Sequence, residues 1–357
     1  MKIRLGILDN DKLYKTRLIN YFNANYADKL ELFSFSSMEN LMQYLDVNKL
    51  DVVLASESAA PQMPKLPQTI AFAYWSESAN VESIHGVKVV CKYQKAELIY
   101  KEILGLYAEV ENDIVYHFGS TDGGMVICFV GAAGGVGTST VAAGSAMYFA
   151  RHGKKALYLD LTEMGDAGQF FSGEGNANLS DALYAVKSSK TNIFLKLESM
   201  VKRDNSGVNF FDSCKVALDM RDAKPEDLKT LVKVCAQSGS FDVICVDVDS
   251  AMGQKLDAIF EACNAITFVC DSAPISIAKL VKMMQAYSLD QNEKTNVLRK
   301  AYLIYNRFHS NGHKPELEFD MQELGGINVF KNGTPVQIAQ QIAEKTVFER
   351  YLAQMGG

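Results

Sequence analysis

Ten residues, Gly131-Ala132-Ala133-Gly134-Gly135-Val136-Gly137-Thr138-Ser139-Thr140, have the types and spacing to hold phosphate. Glycines let a loop wrap closely around an anion with backbone angles that other residues avoid. A helix starting directly after the loop presents its free N–H groups to that anion. The usual pattern is G-x-x-x-x-G-K-[ST]. Gly137 and Ser139 fit its end, but Ala132 holds the first glycine position and Thr138 the lysine position. The plainer alternative is a glycine-rich turn that closes a core strand.

Two carboxylates extend the pattern. Asp160 ends the apolar run Lys155 to Leu161, and Asp247 lies near the end of the run Phe241 to Val248. Strand-end aspartates after such a loop fit a nucleotide–Mg²⁺ site, with the Ser139 hydroxyl on the metal and a carboxylate holding a metal-bound water. Asp247 is the choice for that role and Asp160 the second candidate. Both are expected catalytic and metal-site residues.

These residues need elements to hold them. Met125 to Val130 reads as a buried strand before the loop, and Val141 to Arg151 as the helix after it. Further strands are expected at Gly207 to Phe211, Ala265 to Cys270, Ala301 to Tyr305 and Ile327 to Phe330. Helices are expected near Pro225 to Ser238, Gly253 to Ala262, Ser276 to Tyr287, Pro335 to Ala343 and Val347 to Met355. In front of the loop, strands at Lys2 to Leu8, Glu31 to Phe35, Asp51 to Ala55, Ile70 to Tyr74 and Val87 to Cys91 alternate with helices at Lys12 to Tyr26, Met38 to Leu45 and Gln94 to Leu106. Such alternation is the signature of a doubly wound parallel sheet. The fold class is therefore α/β, with two such domains, 1–107 and 125–357, joined by an acidic and then glycine-rich linker, 108–124.

At 357 residues, two domains are the natural expectation. With 48% hydrophobic and 22% charged residues the chain builds cores, and a net charge of −6 argues against broad non-specific nucleic-acid binding. The seven cysteines include no C-x-x-C pair, and Cys91, Cys128, Cys245 and Cys270, in or at the end of apolar runs, read as small buried thiols of a reducing compartment. With no signal peptide and no long apolar run, the expectation is a cytoplasmic protein without a membrane span.

Residues 1–107 resemble a response-regulator receiver domain. Asp9 and Asp11 match the acidic pair after the first strand, Ser76 the hydroxyl after the fourth and Lys92 the lysine after the fifth. Ser56 stands where the family's phosphoryl-accepting aspartate belongs, and a hydroxyl cannot form an acyl phosphate. The reading is a pseudo-receiver for protein contacts, with Glu57 a weaker alternative acceptor. Asp9 and Asp11 also suit a turn and helix N-cap.

The segment from 125 to 357 looks like the MinD/ParA class of deviant P-loop ATPases, and the whole chain resembles the TadZ/CpaE group of pilus-assembly proteins. Gly134-Gly135-Val136-Gly137 with Ser139-Thr140 matches the core of K-G-G-V-G-K-T-T, and Asp160-Leu161-Thr162 matches the first switch. Asn178 to Leu183 resembles a further family segment, and Asp247 lies in the Walker B strand. The resemblance implies ATP or ADP with Mg²⁺ held by Gly134, Gly135, Val136, Gly137, Thr138, Ser139 and Thr140. It also implies adenine contacts from Asn306 and Arg307. It implies a nucleotide-stabilised homodimer that positions pilus or secretion machinery at a cell pole through the receiver-like domain. Ala133 replaces the family's signature lysine, Thr138 the ordinary one, and Thr162 the second switch aspartate. Losing such charges slows phosphoryl transfer by about 10²–10³ each, so binding with slow or absent hydrolysis is expected. Arg307, Lys154 and Lys279 are candidates to replace the charge. The alternatives are a working ParA/MinD-type ATPase and a non-catalytic response-regulator-like signalling protein.

Other features carry less. His309 and His313 have a metal-like spacing in a polar loop without a third ligand. The Phe170-Phe171 and Phe210-Phe211 pairs read as core. The last helix is not basic, so packing is favoured over a lipid-binding role.

Overall fold

The computed structural model describes residues 2–110, 123–188, 192–289, 296–308 and 321–356. His309, His313 and most of the expected linker lie outside the described residues. The chain forms two compact units, 1–116 with 188–200, and 117–187 with 201–357.

The first unit contains β1 (Ile3–Leu8), α1 (Lys12–Asn25), β2 (Leu30–Phe35), α2 (Met38–Val47), β3 (Val52–Ser56), β4 (Ala71–Ser76), β5 (Ser83–Ile84), β6 (Val87–Cys91) and α3 (Ala96–Glu109). The strand order is β2-β1-β3-β4-β6-β5, parallel except for the short β5. The order reverses at β1, so the crevice at its C-terminal end receives Asp9. Glu57 opens an exposed 3₁₀ stretch, Glu57–Gln62.

The second unit supplies β7 (Met125–Gly131), α4 (Thr138–Arg151), β8 (Ala156–Asp160) and α5 (Leu179–Ser188). The chain then makes α6 (Ile193–Met200), which belongs to the first unit. Sequence reading had placed this stretch in the second domain. α6 buries Leu195 and Leu197, sets Ser199 against Gly105 of α3, and pairs Lys196 with Glu109 and Lys29 with Glu198.

The second unit resumes with β9 (Lys202–Arg203), β10 (Asn209–Phe210), α7 (Ala217–Arg221), α8 (Pro225–Gln237), β11 (Val243–Val248), α9 (Gln254–Ala262), β12 (Ala265–Cys270), α10 (Pro274–Leu289), α11 (Val297–Lys300), β13 (Ala301–Phe308), β14 (Gln322–Asn328), α12 (Pro335–Ile342) and α13 (Glu349–Gln354). Its sheet order is β14-β13-β12-β7-β11-β8-β10-β9, parallel except for β9. β8, β11 and β12 are buried throughout, as expected for strands covered on both faces.

The expected strand at Gly207 to Phe211 shortens to β10, because Gly207 sits in a turn with φ of 87°. β14 begins at Gln322, ahead of the expected Ile327. The expected last helix is split into a 3₁₀ turn, Thr346–Phe348, and α13, which lets Phe348 and Tyr351 bury completely. The Tyr351 hydroxyl is 2.7 Å from Thr267 Oγ1. No helix among the described residues is long and apolar enough to cross a membrane.

Candidate functional site

β7 lies between β12 and β11, and the chain first crosses to β8 on one side and later to β12 on the other. The C-terminal end of β7 is therefore the switch point where doubly wound sheets bind ligands. The glycine loop sits there. Gly135 and Gly137 adopt φ of 78° and 89°, and Gly137 caps the 14-residue helix α4. Gly134 and Gly135 are exposed, and a Cβ added to either meets nothing within 4 Å. The crest of the loop thus faces open space.

The loop's underside is packed. Asn306 is buried, and its side-chain nitrogen donates to the Val136 carbonyl at 2.8 Å. A Cβ on Gly137 would lie 2.5 Å from that nitrogen. Asn306, expected at adenine, therefore supports the loop from below through this amide. Arg307 is exposed on β13 with a left-handed φ of 53°. The Thr138 hydroxyl folds back to within 2.6 Å of where a Gly131 Cβ would be. Ala133 is buried.

β8 and β11 pair in register, with Asp160 opposite Asp247 and Tyr158 opposite Cys245. Side chains two apart share a face, and the Ser145 hydroxyl lies 3.7 Å from Cys245 Sγ, so this face looks at α4. Asp247 is almost fully buried, and its Oδ2 accepts a hydrogen bond from the Tyr158 hydroxyl at 3.0 Å. Its Oδ1 has no hydrogen-bond partner. Burial, then the Asp160 charge, push the Asp247 carboxyl well above its ordinary range, while Ser139 and Tyr158 pull it back. A buried, incompletely satisfied carboxylate oxygen close to a helix-N-terminal hydroxyl is a donor set suited to a hard divalent cation.

Asp160 is satisfied differently. Its Oδ1 accepts from the Thr162 amide at 3.1 Å and hydroxyl at 2.6 Å, and its Oδ2 from the Ser213 hydroxyl at 3.2 Å. Burial raises its pKa against these donors. Asp160, Thr162, Ser213 and Lys215 line one cavity of about 220 Å³. Lys154, a candidate for the missing charge, sits beyond the far end of α4, about 20 Å from the loop at 1.5 Å per residue, with its ammonium on the Gly356 carbonyl. It cannot serve the loop. Lys279 is exposed on α10.

Sequence reading missed Tyr158, Ser213 and Lys215. Tyr158 was within reach, because an aromatic hydroxyl two residues before a strand-end acid shares its face. Ser213 and Lys215 follow a long irregular stretch with no periodic signal.

In the first unit, Asp9 is buried and fully engaged. Lys92 Nζ lies 2.5 Å from Oδ2, the Trp75 indole donates to Oδ2 at 2.6 Å, and the Asp11 amide donates to Oδ1 at 2.7 Å. Asp11 caps α1 through the Tyr14 amide. Ser56 Oγ lies 3.0 Å from Ser58 Oγ, and Ser76 Oγ accepts from the Ser78 amide. No cluster of three or more metal-ligating His, Cys, Asp or Glu side chains occurs among the described residues.

A family model described as CobQ/CobB/MinD/ParA nucleotide binding domain matches residues 127–348, and one described as TadZ-like, receiver domain matches residues 1–108. No curated protein matches. Among solved structures, the chain is similar to a ParA family ATPase from Chlorobium tepidum TLS, with 18% identity, a TM-score of 0.52, and coverage of 66% of this chain and 95% of that one. It is also similar to the septum site-determining protein MinD complexed with Mg-ADP from Pyrococcus horikoshii OT3, with 17% identity, a TM-score of 0.48, and coverage of 62% and 94%. The chain belongs to the CobQ/CobB/MinD/ParA nucleotide-binding family and carries a TadZ-like receiver domain in front of it, the TadZ/CpaE-like architecture.

Proposed function

We propose that the protein is an ATP-binding assembly and positioning factor of a tight-adherence (type IVb) pilus or secretion apparatus, with weak or no hydrolysis. The carrying observation is the pairing of an open glycine loop with the unsatisfied oxygen of buried Asp247, in a site without the two expected lysines. Backbone N–H groups of Gly134 to Thr140 would hold the phosphates. Ser139 and Asp247 would hold Mg²⁺, directly or through water. When bound, the metal neutralises phosphate charge. Asp160, fixed by Thr162 and Ser213, would stand beside it, and Arg307 would contact the adenine while Asn306 braces the loop through Val136. Nucleotide would stabilise a homodimer, and the receiver unit would dock components of the apparatus in the cytoplasm at a cell pole.

Support for weak turnover is chemical. Neither Ala133 nor Thr138 can stabilise charge developing on the transferred phosphoryl group. Equilibrium titration with a fluorescent ATP analogue tests the reading: saturation below millimolar concentration in Mg²⁺, lost in EDTA, is expected. Absence of saturation at millimolar Mg-ATP sinks it.

One observation favours a hydrolysing ATPase: Lys215 lines the cavity that Asp160 faces. Phosphate release stimulated well above background, and lost in Lys215→Ala, would favour that alternative.

A further inference from the structure

Of the buried strand-end aspartates Asp9, Asp160 and Asp247, the first and last are held in opposite ways. Asp9 is clasped by an ammonium, which neutralises it and leaves no charge for a cation. Asp247 is clasped by a phenol, Tyr158, which fixes one oxygen and adds no positive charge. We propose that Tyr158 is the positioning residue of the divalent-cation site, holding Asp247 so that Oδ1 is kept for the metal. The inference rests on the Mg²⁺–nucleotide reading above.

The geometry supports a fixed hydroxyl. Tyr158 is 1% exposed. Its ring packs against Phe171 and Phe170, with centroids 5.1 and 6.2 Å away. The phenol therefore cannot swing aside, and its hydrogen bond restrains rotation of the carboxylate. Without it, two buried oxygens would compete for the Ser139 hydroxyl, and the orientation offered to a cation would no longer be set in advance. Partners that orient a metal ligand typically change metal affinity by about 10–100-fold when removed.

The test is binding of a fluorescent ATP analogue across a Mg²⁺ titration. It compares wild type, Tyr158→Phe, Asp247→Asn and the double variant, with folding checked by circular dichroism and thermal unfolding. Tyr158→Phe should raise the half-saturating Mg²⁺ about ten-fold or more, without changing any residual binding in EDTA. It should have no further effect in the Asp247→Asn background. An unchanged Mg²⁺ midpoint in folded Tyr158→Phe, with wild type still Mg²⁺-dependent, overturns the role of Tyr158 alone. Equal loss with and without Mg²⁺ also overturns it, as a purely structural effect. Wild type without Mg²⁺-dependent binding overturns the underlying reading and this inference together. If the Phe variant does not fold, fluorotyrosines of graded acidity at position 158 keep the hydroxyl. The Mg²⁺ midpoint should then fall steadily as the phenol becomes more acidic and donates more strongly, and a flat or rising series overturns the proposal.

Discussion

Gly137 meets two demands at once. Its φ of 89° is left-handed, and the space beside its Cα is taken by Asn306. Gly137→Ala should therefore lower stability by about 1–3 kcal/mol and abolish nucleotide binding. Thermal unfolding and analogue titration check this; unchanged binding would show that the loop tolerates another shape. In the receiver unit, burial alone would raise Asp9. The Lys92 ammonium, the Asp11 amide and the Trp75 indole outweigh it and hold the carboxyl below its ordinary value. A depressed folded value stabilises the fold above the unfolded pKa, about 3.9, and that contribution fades as pH falls through the folded value. Acid titration followed by fluorescence of Trp75, the single tryptophan, should show a transition below pH about 4. Asp9→Asn should remove it and cost about 3–5 kcal/mol, because buried Lys92 loses its partner. The same transition in Asp9→Asn would assign it elsewhere. At this scale the sequence named Asp9, Lys92, Ser139 and Asp247, because position after a strand is readable. It could not tell which donors each would find, since Tyr158 and Trp75 reach their aspartates only through pairing of distant strands.

At the scale of elements, α4 illustrates how packing constrains composition. Every residue from Val141 to Phe149 is buried, and Gly144 lets α12 cross closely. A Cβ there would lie 2.6 Å from Ile342 Cγ2 and 3.0 Å from the Ala339 carbonyl. Gly144→Ala should cost about 1–3 kcal/mol by overpacking, despite the better helix propensity of alanine. Denaturant unfolding checks it, and a stabilised variant would mean that α12 shifts freely. The same close packing explains what was legible. Apolar runs such as Val243 to Val248 announced buried strands, because burial on both faces leaves a continuous apolar stretch. α5 and α6 went unread as helices, since their amphipathic patterns are short. Only the folded chain shows α6 to bury Leu195 and Leu197 away from the unit that precedes and follows it.

For the whole molecule, two α/β folds each lack a group that their resemblance leads one to expect: Ser56 stands for the acceptor aspartate, and Ala133 and Thr138 for the two lysines. The receiver unit has Ser56 where the acceptor aspartate belongs, and Lys92 already neutralises Asp9, so acetyl phosphate with Mg²⁺ should transfer no phosphate to the chain and leave Trp75 fluorescence unchanged. Radiolabel uptake lost in Ser56→Ala would contradict this. The two-unit plan was legible in the alternation of strands and helices on either side of a glycine-rich join. The exchange of one helix was not, because it depends on surfaces that no local pattern reveals.

That exchange has a consequence for inheritance. A chimera that replaces residues 1–116 with another receiver would bring in a foreign counterpart of Gly105 and Glu109, while Leu195, Leu197 and Lys196 remain behind in the other half of the gene. A join placed at the apparent seam should therefore yield poorly folded hybrids. Functional hybrids should require α6 to travel with the receiver it covers.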